Sequence, residues 1–143
     1  MRLLKYIFVL AAVSVVIVSC KSSGIIRTSK SENSSKETSR ITKQLIEDAT
    51  EYLGSPYKAA GTDSNGFDCS GLVFVTFRKV DILLPRKSID MAKIGRIIDK
   101  DDIQKGDLVF FKTNGKSEIN HVGLVVEVNN DEIKFIHSST KLG

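Results

Sequence analysis

The sequence predicts an α+β domain in which helices come first and an antiparallel sheet follows. Three observations carry this. Ile41, Leu45, Ile46, Ala49, Tyr52 and Leu53 recur at helical spacing, and Gly54 stops the run. Past Gly106 the chain changes character: "DLVFFK" (107–112), "HVGLVVEV" (121–128) and "EIKFIH" (132–137) are rich in branched and aromatic residues. Between these runs stand Asn114-Gly115 and Asn129-Asn130-Asp131, which are strong turn signals. Short strands joined by turns read as a meander, not as the alternation of strands and helices that builds a parallel sheet.

The N-terminal residues stand outside this domain. Residues 1–19 have a short basic start (Arg2, Lys5), an apolar run from Tyr6 to Val18 and a small residue, Ser19, before Cys20. This pattern reads as a secretory signal, and its apolar run is short of the roughly 20 residues a membrane span requires. "IVSC" (17–20) looks like a bacterial lipobox, which implies cleavage before Cys20 and a diacylglycerol on its sulfur. Residues 20–40 are rich in serine and charge, with only Ile25 and Ile26 as large apolar residues, and read as a flexible tether. A tether of this kind spans about 25 Å, enough to hold residues 41–143 near a membrane while letting them reach outward. Without the signal, 19 basic residues face 17 acidic ones. A near-balanced charge with no basic stripe argues against nucleic acid as a partner.

Within residues 41–143, Pro56 to Phe67 reads as a loop. The run "LVFVTF" (72–77) is ambiguous, because five of its six residues are β-branched or aromatic and favour a strand. Asp68, however, is a good helix cap, and Cys69 just after it would sit where a helix N-terminus favours a thiolate. A buried helix starting at Cys69 is therefore expected, with Leu72, Val73, Phe77 and Val80 near one face. Ser88 to Ile94, closed by Gly95, reads as a short helix with Ser88 as its cap, and 101–106 as a turn. Alternation puts His121, Gly123 and Val125 on one face of their strand and Ile133, Phe135 and His137 on one face of the next. Adjacent antiparallel strands then allow His121 and His137 to meet, in a register the sequence leaves open.

The chemistry-bearing residues are few. With Cys20 lipidated, Cys69 is the lone thiol, and His121 and His137 are the only histidines. A thiol nucleophile requires a base within reach and a group that orients the base. One cysteine and two histidines meet that requirement. They also supply three zinc ligands, but without close spacing or a fourth partner.

Taken in order, "YLGSPY" (52–57), "GFDCSGLV" (66–73), "LPR" (84–86), "GDLVFF" (106–111), "HVGLVV" (121–126) and "FIHSS" (135–139) resemble the NlpC family of cell-wall cysteine peptidases over nearly all of residues 45–140. The resemblance implies a papain-like fold, with Cys69 as nucleophile, His121 as base and His137 as the polar residue that holds the imidazole. It implies Tyr57 as a contributor to the oxyanion hole, and Asp68 and Ser70 as flanking residues that contact substrate. It implies no metal and no cofactor. The helix tip and the imidazole together favour a thiolate–imidazolium pair.

The activity so implied is hydrolysis of stem or cross-link peptides of peptidoglycan by a monomer held through the lipid on Cys20 at the periplasmic face, in the outer membrane. The alternatives are a wall-binding lipoprotein that keeps the fold without the activity, and an N-acyl-amidase of the same fold. The sequence departs from the family pattern at Ala60, where a glycine is usual, and at Met91, where a glutamine is common. The pattern also usually continues past "HSST" with another strand or two, so the "EIKFIH" ladder is expected to be left open.

Overall fold

The computed structural model describes residues 28–129, 132–141 and 143. The signal segment, Cys20 and the first part of the tether lie outside the described residues, as do Asn130 and Asp131 of the last predicted turn. The chain divides into two units, residues 1–33 and 34–143. In the first, the described residues are helical and open helix α1, which runs Thr28–Thr50.

This helix corrects the tether reading over residues 28–40. Propensity in the run is ordinary and no apolar stripe marks it, so the sequence looks like coil. Once the last turns are anchored, though, extending a helix costs far less per residue than nucleating one. Local bonds add to this: Arg40 meets Glu37 at 2.7 Å, and the Thr38 hydroxyl donates to the Ser34 carbonyl at 2.9 Å. The anchored end buries Leu45 and Ala49. The helix ends at Thr50, short of the Leu53 that the spacing predicted, and residues 51–54 are turns that close at Gly54.

A short hairpin, β1 (Thr62–Asp63) and β2 (Gly66–Phe67), lies in the predicted loop. Helix α2 (Cys69–Arg78) begins at the expected residue, capped by Asp68. Leu72, Val73, Thr76 and Phe77 form its buried side. Its C-terminal end is tied to α1, where Lys79 reaches Asp48 at 3.2 Å and Glu51 at 3.0 Å.

Helix α3 is shorter than predicted, Ser88–Met91, and its cap is Lys87. Ser88 is already inside the first turn and buried, because Lys87 is the last residue with extended backbone. Met91, at the position where the family pattern has glutamine, is a core residue only 1% exposed. A 3₁₀ turn (Lys100–Asp102) precedes the sheet.

The sheet is the predicted meander: β3 (Leu108–Phe111), β4 (His121–Val128) and β5 (Ile133–Ile136), in the order β3-β4-β5. Phe111 pairs with His121, Leu124 with Ile136 and Val125 with Phe135, and a bulge follows between Val125 and Glu127. Among the described strands, β5 pairs only with β4. One face of β4, through Val122 and Leu124, closes the core with Leu45, Ala49, Val73, Phe77 and Met91. The other face carries His121. Among the described residues no helix is long and apolar enough to cross a membrane.

Candidate active site

Cys69 is the first residue of α2. Its Sγ–H points at the Asn120 carbonyl, 3.9 Å away, and the Val122 backbone N–H is directed at the sulfur. The thiol therefore rests against the start of β4, on either side of His121. Cys69 and His121 line one cleft of about 410 Å³, together with Tyr57, Asn120 and residues of the loops before β4 and after β5.

The register brings the histidines together. His121 Nε2 and His137 Nδ1 are 2.9 Å apart, with the rings nearly perpendicular. His137 lies one residue past the end of β5. Two aromatic rings pack around the pair: Phe111 sits 6.1 Å from His121, and Phe135 sits 5.2 Å from His137. Gly123 makes room for them, since a Cβ there would lie 2.5 Å from the Phe135 ring. Beyond His137, the buried Ser138 hydroxyl donates to the Phe67 carbonyl at 2.7 Å, tying the end of β5 to the segment that carries the nucleophile. Ser138 and Phe135 fall inside the "FIHSS" run. Only their position beside His137 marked them.

The charge state differs from expectation. Burial pushes the Cys69 thiol up, and the Asp68 carboxylate pushes the same way. The backbone N–H groups of Val122, Ser70 and Cys69 oppose this without prevailing. Burial first, and the charge of His137 second, hold His121 below the usual imidazole range. Both shifts favour the neutral thiol and the neutral imidazole over the charged pair. The helix tip does not by itself supply the expected thiolate: burial opposes it first, and the charge of the capping Asp68 adds to that. A carboxylate that accepts the free N–H groups also offsets the positive end of the helix.

Asp68 and Ser70 are not in the cleft lining. Asp68 Oδ1 accepts from the Gly71 N–H at 2.6 Å and the Ser70 hydroxyl at 3.2 Å, and Oδ2 accepts from the Ala60 N–H at 2.9 Å. Both oxygens also accept from Arg86, at 2.9 and 2.8 Å, in a bidentate pair. Arg86 donates further to Ser70 Oγ at 2.9 Å and to the Gly61 carbonyl at 3.2 Å. Burial works to raise the Asp68 carboxyl. The hydrogen bonds and charge of Arg86, with those of Gly71 and Ser70, outweigh it and hold the group below the usual carboxylate range.

The clamp is close-fitting. A Cβ on Gly71 would fall 2.0 Å from the Gly61 carbonyl oxygen. Arg86 is the site residue that residue-by-residue reasoning missed. Its signal was the "LPR" run, which carried no visible chemistry. Tyr57, by contrast, does line the cleft. A parallel bridge to Phe67 holds it there, with the Lys58 N–H donating to the Phe67 carbonyl at 2.9 Å.

Comparison with known proteins gives the family. Residues 54–143 match the NlpC/P60 family. A probable endopeptidase of Haemophilus influenzae is 42% identical over 100 residues, 69% of this chain and 60% of that protein. The probable endopeptidase NlpC of Escherichia coli is 47% identical over 93 residues, 64% of this chain and 58% of that protein. A Staphylococcus aureus crystal structure, described as similar to lipoprotein of the NLP/P60 family, superposes with a TM-score of 0.63 at 32% identity. It covers 73% of this chain and 35% of that one. The chain thus spans about three-fifths of the length of these curated relatives. A helix-borne cysteine set against an antiparallel sheet that presents the histidines is the papain-like arrangement, and the chain belongs to the NlpC/P60 family.

Proposed function

We propose that this protein is a peptidoglycan endopeptidase that cuts stem or cross-link peptides with a thiol nucleophile. The observation that carries the reading is the placement of Cys69 at a helix tip in the cleft it shares with His121, whose far nitrogen is held by His137. With both groups neutral at rest, His121 takes the Cys69 proton as the sulfur attacks the scissile carbonyl carbon. Tyr57 and the Cys69 backbone N–H stabilise the oxyanion. The C–N bond then breaks as His121 passes the proton to the leaving amine. Water hydrolyses the thioester, giving one proton to His121, and the sulfur recovers it on leaving.

The preferred target is a cross-link that contains diaminopimelate, and the bond between γ-D-glutamate and diaminopimelate is the nearest alternative. The same proposal includes a lipid anchor on Cys20, a monomeric state and a place on the periplasmic face of the outer membrane. The motifs in residues 1–20 support the anchor.

Digestion of cross-linked peptidoglycan, read by mass spectrometry beside Cys69→Ala, tests the activity. Peptide fragments are expected from the native chain alone. Equal fragments from both proteins would defeat the thiol mechanism, and no fragments from either, with native circular dichroism, would favour a wall-binding role.

A further inference from the structure

The loop between β3 and β4 places one full charge in the cleft. Of the residues that line it, Lys116 is the one lysine, arginine, aspartate or glutamate. The lining holds no acidic residue.

Lys116 sits on a built support. Asn114 (φ 57°) and Gly115 (φ 69°) occupy consecutive left-handed positions, and the Lys116 N–H closes the turn on the Thr113 carbonyl at 3.2 Å. The base of the loop is stapled by the side chains of Thr113 and Asn120. Asn120 Oδ1 accepts from the Thr113 N–H at 2.7 Å, and Asn120 Nδ2 donates to the Thr113 hydroxyl at 3.0 Å. The next residue is His121. Asn120 thus ties the turn that carries Lys116 to the strand that carries the base, and its own carbonyl receives the thiol. Among the described residues, no acidic side chain forms an ion pair with Lys116, including Glu118 two positions along the loop.

An unpaired ammonium on a braced turn, in the cleft that also holds the nucleophile, suits an anionic group of a substrate bound there. Peptidoglycan peptides carry such groups: a γ-linked glutamate keeps its α-carboxylate free, and diaminopimelate joined through its amine keeps a carboxylate. We infer that Lys116 is a specificity residue that binds a free carboxylate of the substrate beside the bond to be cut. The inference rests on the hydrolase reading above.

The test uses the full chain and a diaminopimelate cross-linked muropeptide dimer, prepared with free carboxylates and again with those carboxylates amidated. Lys116→Gln is expected to lower kcat/KM about two- to fivefold on the free-carboxylate dimer, through KM, as befits one exposed ion pair. On the amidated dimer it should change little, and Lys116→Arg should retain most of the preference. Equal losses on both dimers, or none, would overturn the inference.

Titration of the same dimers into Cys69→Ala, with and without Lys116→Gln, separates the two readings. If the native chain cuts neither dimer yet Cys69→Ala binds the free-carboxylate form more tightly through Lys116, the hydrolase reading falls and carboxylate recognition stands. If binding ignores both Lys116 and amidation, recognition falls whatever the turnover.

Discussion

Replacing Arg86 with methionine keeps an unbranched aliphatic stem and removes four hydrogen bonds to three partners: Asp68, Ser70 and Gly61. The expected cost can be bracketed. Removing one partner of a fully buried ion pair costs about 3–5 kcal/mol, and removing one from an exposed pair costs about 1 kcal/mol or less. Here the side chains are 18% (Asp68) and 33% (Arg86) exposed, so the pair lies between those limits. Asp68 would also keep donors from Gly71, Ala60 and Ser70, so its charge would not be stranded. About 2 kcal/mol is the expected loss, which for a domain of this size lowers Tm by roughly 8 °C.

The pH dependence of that loss is the sharper readout. In the native chain the Asp68 pKa is depressed, so its contribution to stability is complete above the unfolded carboxylate value and fades only as pH falls through the folded value. Without Arg86, burial raises the carboxyl, which then protonates in the folded variant at mildly acid pH. The gap between native and Arg86→Met should therefore narrow from pH 7 to pH 4. Urea unfolding at both pH values measures it. A gap under 0.5 kcal/mol, or one that widens toward acid, would refute the reasoning. Because the clamp sets the N-terminus of α2, kcat/KM on peptidoglycan fragments should fall about 10- to 100-fold as Cys69 loses its position.

Three other outcomes follow from the geometry. The pH profile of kcat/KM should be bell-shaped, with its acid limb below the ordinary imidazole value of about 6.5 and its alkaline limb above the ordinary thiol value of about 8.5. Alkylation of Cys69 by iodoacetamide should rise through the same alkaline step, and an acid limb above 6.5 would contradict a neutral resting pair. Gly123→Ala places a methyl 2.5 Å from the Phe135 ring and should cost about 1–3 kcal/mol in urea unfolding, with lost activity as His137 is displaced. Ala60→Gly should raise stability by about 0.5–1 kcal/mol. Ala60 holds φ at 59°, a conformation that costs an L-residue roughly 1–2 kcal/mol, and the added freedom of the unfolded glycine returns only part of that. Calorimetry showing a lower Tm for this variant would count against strain in the loop.

What was legible in the sequence, and what was not, divides on physical grounds. The meander was legible because period-two alternation and turn residues are local signals, and the meeting of His121 with His137 followed from alternation once a register existed. The 72–77 run shows a harder case. Propensity favoured a strand, yet α2 forms, because its cap and its burial both reward a helix. A strand there would leave Asp68 without the Gly71 N–H and would turn alternate side chains away from β4.

Helix α1 over residues 28–40 was illegible for the opposite reason: the structure there is propagated from outside the window rather than encoded within it. Arg86 and Lys116 belong to a third kind. Each is an ordinary surface type of residue whose meaning lies in what a distant segment brings beside it, a cap 18 positions earlier for Arg86 and a cleft for Lys116.

The thiol, too, depends on what its neighbours bring beside it. Asp68 was read as a helix cap and Cys69 as a thiolate at a helix tip, and each reading is sound alone. Together they conflict, because the carboxylate that satisfies the tip also opposes negative charge on the adjacent sulfur. Arg86 moderates the conflict by pairing with both carboxylate oxygens. Loss of Arg86 should therefore raise the alkaline limb of Cys69 alkylation, and a combined Asp68→Asn, Arg86→Met change should bring it back down, since neutral Asn can still cap the helix. If alkylation titrates identically in all three proteins, Asp68 serves the helix alone and has no electrostatic hold on the nucleophile.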